Sequence, residues 1–226
     1  MDSLENILPD ISPGQTDRGK QDAKVALFGE HTPPSPSVLH VGCVGGQQTD
    51  ARWMHRRLDE LASSLVGIDV HEPGIKRMRD AGWDAEVGDA HSFELDREFD
   101  VIAAPNVIEH LHSPGQFLQT AATHLHDEGV VLLSTPRIWS LHHVLTWLKD
   151  TEVVVSSDHT MWFDDPTFQR LVDHTPLSVT NKETFRWQRT AASTVDRAYL
   201  LVERALSKAR VPDKYLDYQH FYCLKL

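Results

Sequence analysis

The chain lacks an apolar run long enough to cross a membrane, a cysteine framework, a concentrated basic surface and a phosphate-binding loop. Each absence removes a class of function. Nothing in the 226 residues approaches the roughly 20 apolar residues a spanning helix needs, so no stable membrane insertion is expected. The N-terminus has no basic-then-apolar export signal, and a cytoplasmic location is expected. The two cysteines, Cys43 and Cys223, lie far apart and suit a reducing compartment. Thirty-three acidic residues against 22 basic ones give a net charge of −11, which argues against a nucleic-acid partner. The one basic cluster, Arg52, His55, Arg56 and Arg57, is expected to be a solvated helix face. Fourteen histidines are present, but the close pairs His110/His112, His124/His126 and His142/His143 have no C-x-x-C or H-E-x-x-H companion. No metal is predicted from them.

What the chain does have is a short apolar run ending in glycines, Val38-Leu39-His40-Val41-Gly42-Cys43-Val44-Gly45-Gly46. Leu65-Val66-Gly67-Ile68-Asp69 follows about one helix later. This is the pattern of a buried strand, a tight turn, a helix, and a second strand tipped by a carboxylate. Glycines let a backbone approach a ligand closely, and an acid at the next strand tip can grip a ribose diol. A dinucleotide fingerprint starting at Gly42 requires glycine at 44 and 47, where the chain has Val44 and Gln47. The G-x-x-x-x-G-K-[ST] loop is also missing. An adenosine ligand without phosphates is therefore the better candidate, although such a turn also serves as a plain strand-to-helix connection.

Residues 1–22 are polar and carry Pro9, Pro13, Gly14 and Gly19, which predicts a flexible N-terminal arm. Residues 23–226 then predict one domain. Strands are expected at Val38–Val41, Leu65–Asp69, Asp84–Val87, Phe99–Ala104 and Gly129–Ser134, with helices at Asp50–Ser64, Pro73–Ala81 and Gly115–Leu125 between them. Such alternation specifies a parallel sheet covered on both faces. Beyond Pro136 the pattern loosens: helices at Ile138–Leu148, Thr167–Val172 and Val195–Ala209, and strands at Ser178–Phe185 and Tyr218–Leu226. Residues 136–175 are expected to form a lid region. Within it Leu141, Val144, Leu145 and Leu148 predict a buried helix face. Trp139, Trp147 and Trp187 are expected inside, and Trp162 lies in a polar-aromatic loop open to an acceptor.

Ligands of open α/β sheets bind outside the carboxyl ends of the strands. Gly42–Gly46, Asp69-Val70-His71, Gly88-Asp89-Ala90 and Pro105–His110 should meet there. On VLHVGCVGG, LVGIDVHE, AEVGDAHSF, FDVIAAPNVIEHLHSPGQFL and GVVLLSTPR, in that order, the chain resembles the class I S-adenosylmethionine-dependent methyltransferases. IEHL-x-x-P and DHTMWFDDPTFQRLV resemble a subgroup that includes quinone-biosynthesis and glycan-cluster O-methyltransferases. The resemblance implies a Rossmann-like α/β fold with a mostly parallel seven-stranded sheet. It implies S-adenosyl-L-methionine as cofactor and a small-molecule acceptor, a sugar, glycolipid or quinone-like compound methylated on oxygen.

It also implies roles. Gly42, Cys43, Gly45 and Gly46 would form the cofactor turn, Asp69 and Val70 the ribose end, Asp89 and Ala90 the adenine end, and Asn106 and Val107 the methionine side. Where this chain has His40 the family usually has an acid facing the cofactor's ammonium, and where it has Val44, a glycine. A neutral histidine can still accept a hydrogen bond, whereas a protonated one repels an ammonium. His110 is the first candidate for a general base and His159 the second. Two other readings stay open: a cofactor-binding but inactive partner protein, and a nicotinamide-dependent oxidoreductase. The sequence sets no oligomeric state.

Overall fold

A computed structural model describes residues 15–45, 53–150, 156–186 and 194–226. Five parallel strands form the body of one sheet: β1 (Ser37–Val41), β2 (Ser64–Asp69), β3 (Ala85–Val87), β4 (Phe99–Pro105) and β5 (Leu125–Pro136). Two more strands, β6 (Ser178–Phe185) and β7 (Gln219–Lys225), complete it in the order β3-β2-β1-β4-β5-β7-β6, with β7 antiparallel to both neighbours. This is the expected Rossmann-like sheet. β5 starts at Leu125, four residues before the expected Gly129, because Phe99 pairs with Leu125 ahead of a register shift in β4.

The alternation of side chains along the strands divides the core in two. Leu39, Val41, Val66, Ile68, Ile102, Ala104, Val131 and Leu133 face one layer. There they meet Phe117, Leu118 and Ala121 of α4 (Pro114–Thr123) and Phe168 and Val172 of α6 (Asp165–Val172). Val38, Leu65, Val101, Ala103, Val130 and Leu132 face the other, against Val25 and Phe28 of α1 (Gln15–Glu30) and Met54 and Leu58 of α2 (Met54–Asp59). Strands buried on both faces explain why the segments read as continuous apolar runs. Helix α3 (Glu72–Asp80) starts at the tip of β2, where His71 Nδ1 accepts the Gly74 N–H at 3.0 Å and Pro73 occupies the first turn.

Four expectations need correction. Helix α1 begins at Gln15, within the stretch read as an arm, and its buried Val25 and Phe28 make it part of the core; residues 1–14 lie outside the described residues. His55 is not on a solvated face but fully buried between β1 and Trp53; Arg52 is outside the described residues. Helix α5 (Leu141–Asp150) exposes Val144, Leu145 and Leu148 and buries His143 instead, whose Nδ1 lies 2.7 Å from the Arg137 carbonyl. Trp139 and Trp147 are likewise exposed, by 63% and 55%. Periodicity gives a helix its faces but not which face meets the sheet. Trp187 falls outside the described residues, and α7 (Thr194–Lys208) follows that gap.

Candidate active site

The turn after β1 is set by Gly42, whose φ of +74° is left-handed. Its N–H and that of Cys43 both donate to the Ile68 carbonyl, at 2.9 and 3.2 Å, which fastens the turn to the tip of β2. Asp69 sits at that tip. Its Oδ2 accepts the Val44 N–H at 3.0 Å and its Oδ1 the His71 N–H at 2.9 Å. Each oxygen keeps a lone pair for a further donor. A β-carbon on Gly42 would lie 2.7 Å from Val107 Cγ2, so the fourth loop closes directly on the turn.

The Val44 side chain points out of the crevice, over the start of α3: a β-carbon on Gly74 would lie 2.2 Å from Val44 Cγ1. Cys43 is buried against Met78, Sγ to Sδ 3.5 Å, and burial pushes its thiol up to about 12. It packs, and only its backbone lines the turn. Below them His40 faces the α1–α2 layer, its Nδ1 3.1 Å from His55 Nδ1 and the rings stacked. Burial, then the neighbouring His55 and Lys24, hold His40 well below the usual histidine range; burial holds His55 at about 4. Both are neutral at physiological pH, one donating to the other.

At the tip of β3, Asp89 Oδ1 accepts the His91 N–H at 2.9 Å and lies 2.6 Å from His91 Nδ1. These bonds lower its pKa. Ala90 beside it is buried, whereas Val70 stands 66% exposed beside Asp69. After β4, Asn106 takes a left-handed φ of +56°. Its side chain is the hub of a buried network: Oδ1 accepts from Lys24 Nζ, and Nδ2 donates to Glu109 Oε1 at 2.9 Å and to Gln219 Oε1 at 3.1 Å.

A short 3-10 turn, Ile108–His110, follows. Thr160 ties the 156–165 loop to it, donating from N to the Glu109 carbonyl at 2.9 Å and from Oγ1 to the Leu111 carbonyl at 2.9 Å. His110 and His159, far apart in sequence, thereby come together with ring centroids 4.7 Å apart. Asp158 Oδ2 lies 3.1 Å from His110 Nδ1. Burial, the largest influence, lowers the His159 pKa, while Glu109 and Asp158 pull it upward. Trp162 touches the rings of both His159 and His143 edge-on.

A family model described as a methyltransferase domain matches residues 15–188, most of the chain. The chain belongs to the methyltransferase-domain family. Among solved structures, an S-adenosylmethionine-dependent methyltransferase from Archaeoglobus fulgidus aligns with 92% of this chain and 94% of its own at 15% identity, with a TM-score of 0.61. One from Mesorhizobium loti aligns with 91% of this chain and all of its own at 16% identity and a TM-score of 0.58. Those likenesses concern the fold. A curated relative, the ubiquinone biosynthesis O-methyltransferase of Caulobacter vibrioides, is 30% identical over 107 residues, 44% of this chain. The match spans 40% of that relative's length.

The residues at the strand tips could hold an S-adenosyl group. Asp69 offers two carboxylate oxygens beside the Gly42 turn, which suits a ribose diol. Val70 stands exposed beside Asp69, and Asp89 lies at the tip of the neighbouring strand β3. Gly42, Gly45, Asp69, Val70, Asp89, Ala90 and Val107 belong to the strand-tip loops, whereas the side chains of His40, Cys43 and Asn106 turn inward. Gly46 lies outside the described residues. Sequence reasoning missed three participants. Lys24 is a buried lysine just past the stretch read as an arm, with no local signal. Gln219 arrives from the far end of the chain. Glu109 stands in the quoted IEHL stretch, but its burial appears only in three dimensions.

Proposed function

We propose that the chain transfers a methyl group from S-adenosylmethionine to an oxygen of a small-molecule acceptor, a sugar or glycolipid ahead of a quinone or other lipid. The observation that carries the donor assignment is Asp69, held by two backbone N–H groups beside the Gly42 turn. When bound, S-adenosylmethionine supplies an electrophilic methyl carbon on a sulfonium. The residues have the rest to do: hold, orient and deprotonate. Orientation supplies roughly 7–11 kcal/mol in well-aligned reactions, and a positioned base adds about 10²–10⁴-fold. His110 is the base in this reading. Asp158 accepts a hydrogen bond from the Nδ1–H and leaves Nε2 as the acceptor for a hydroxyl proton. Trp162 supplies an aromatic wall for a ring-shaped acceptor.

An inactive-partner reading rested on His40 and Val44. A neutral His40 repels no ammonium, and Val44 packs on Gly74 rather than in the crevice, so neither departure argues against cofactor binding. The oxygen acceptor draws support from the name of the Caulobacter relative. Thermal unfolding with S-adenosylhomocysteine, with NAD as control, tests the reading. At a hundredfold excess over the dissociation constant the ligand stabilises by about 2.7 kcal/mol, roughly 5–11 °C for a chain this size. A shift with S-adenosylhomocysteine alone supports the assignment, and no shift overturns it.

A further inference from the structure

We propose that Glu109, His110 and His159 form a binding site for a divalent transition-metal ion at the acceptor side of the crevice. One donor atom from each lies within 4.8 Å of the other two. A second observation points to a ligand. Glu109 is 1% exposed, its Oε1 is bonded to Asn106, and its Oε2 has no hydrogen-bond partner among the described residues. His159 Nδ1 is buried and equally unpartnered. An unsatisfied buried carboxylate oxygen and an unsatisfied imidazole nitrogen each carry a desolvation penalty. A shared cation removes both.

The donor set is chemically apt. Two imidazoles and one carboxylate are a common facial set for Zn²⁺, Fe²⁺ or Mn²⁺, leaving positions open for a substrate oxygen. Ligand bonds of about 2.0–2.2 Å bring tetrahedral donors to roughly 3.4 Å apart, so each side chain here moves inward by less than about 1 Å. Asp158 Oδ2, 3.1 Å from His110 Nδ1, is the outer carboxylate that fixes a metal-binding imidazole and leaves its other nitrogen for the ion. Thr160 clamps the loop that delivers His159 to the turn that carries Glu109 and His110. No spacing motif marks the three residues as ligands, because Glu109 and His110 are adjacent and His159 stands some fifty residues further along the chain.

The role rests on the methyltransferase reading above. An acceptor hydroxyl on the open face of the ion loses its proton to water at neutral pH. Its oxygen then forms the C–O bond while the electrons of the breaking C–S bond stay on sulfur. In that state His110 serves as ligand rather than base.

The test is titration of EDTA-stripped full-length protein with Co²⁺, followed by visible absorption, with S-adenosylhomocysteine melting shifts on the same samples. The expected result is a ligand-field band saturating at about one ion per chain. It should be abolished by His159→Ala or His110→Ala and left intact by His174→Ala, an exposed residue in the turn after α6. Asp158→Asn should weaken the ion by about 10–100-fold. No band, or a band unchanged by His159→Ala, overturns the metal site. The S-adenosylhomocysteine shift in the stripped protein reads donor binding alone, so failure of the metal site and failure of the methyltransferase reading are told apart.

Discussion

Gly42 and Asp69 show how much depends on single residues at the strand tips. Gly42→Ala places a methyl group 2.7 Å from Val107 and forces a left-handed φ on an L side chain. The backbone part alone is worth about 1–2 kcal/mol, so the urea midpoint should fall. An unchanged midpoint would show that the turn relaxes freely. Asp69→Ala should weaken S-adenosylhomocysteine by about 1.5–3 kcal/mol, the range for a hydrogen bond to a charged group, as read by calorimetry. Equal affinity would remove Asp69 from the ribose. Both residues were legible in the sequence, because φ and strand-tip position follow from neighbours a few places away. Lys24 and Glu109 were not. Burial of a charge is decided by which distant segments pack over it, and no local pattern records that.

At the scale of elements, the parallel core was legible because each strand is buried on both faces and flanked by turn residues. The faces of the helices were less so. Helix α5 carries an apolar pattern suited to burial, yet the sheet is already covered by α4 and α6 on one side and by α1 and α2 on the other. Its Leu148 and Trp147 therefore remain at the surface, and Trp147→Gln should change stability by no more than about 0.5 kcal/mol. By contrast, α1 is held through Phe28, fully buried and edge-on to Phe221 at 5.5 Å. Phe28→Ala should cost about 3–5 kcal/mol in chemical unfolding. A loss under 1 kcal/mol would return α1 to the status of a loosely attached arm.

The whole molecule carries an acid sensitivity spread over its histidines. His55 and His220 are held at about 4 by burial, and His40 is lowered in the same way. In the unfolded chain each titrates near its usual 6.5. Between those limits the unfolded state binds more protons, so stability is fully present above about pH 6.5 and declines as pH falls toward 4. Each such histidine contributes up to about 1.4 kcal/mol per pH unit. Urea midpoints at pH 7, 6 and 5 should drop stepwise. A flat profile over that window would mean that these imidazoles are solvated.

The antiparallel strand β7 has a kinetic consequence. It occupies the place between β5 and β6, more than eighty residues along the chain from β5. Closing that span is slow relative to assembly of the local βα units. Until Gln219–Lys225 docks, β5 presents an open, strongly apolar edge of Val131, Leu132 and Leu133 to other molecules. Refolding should therefore yield less native protein as chain concentration rises, with the aggregates cross-linked through strands that in the native state face β7.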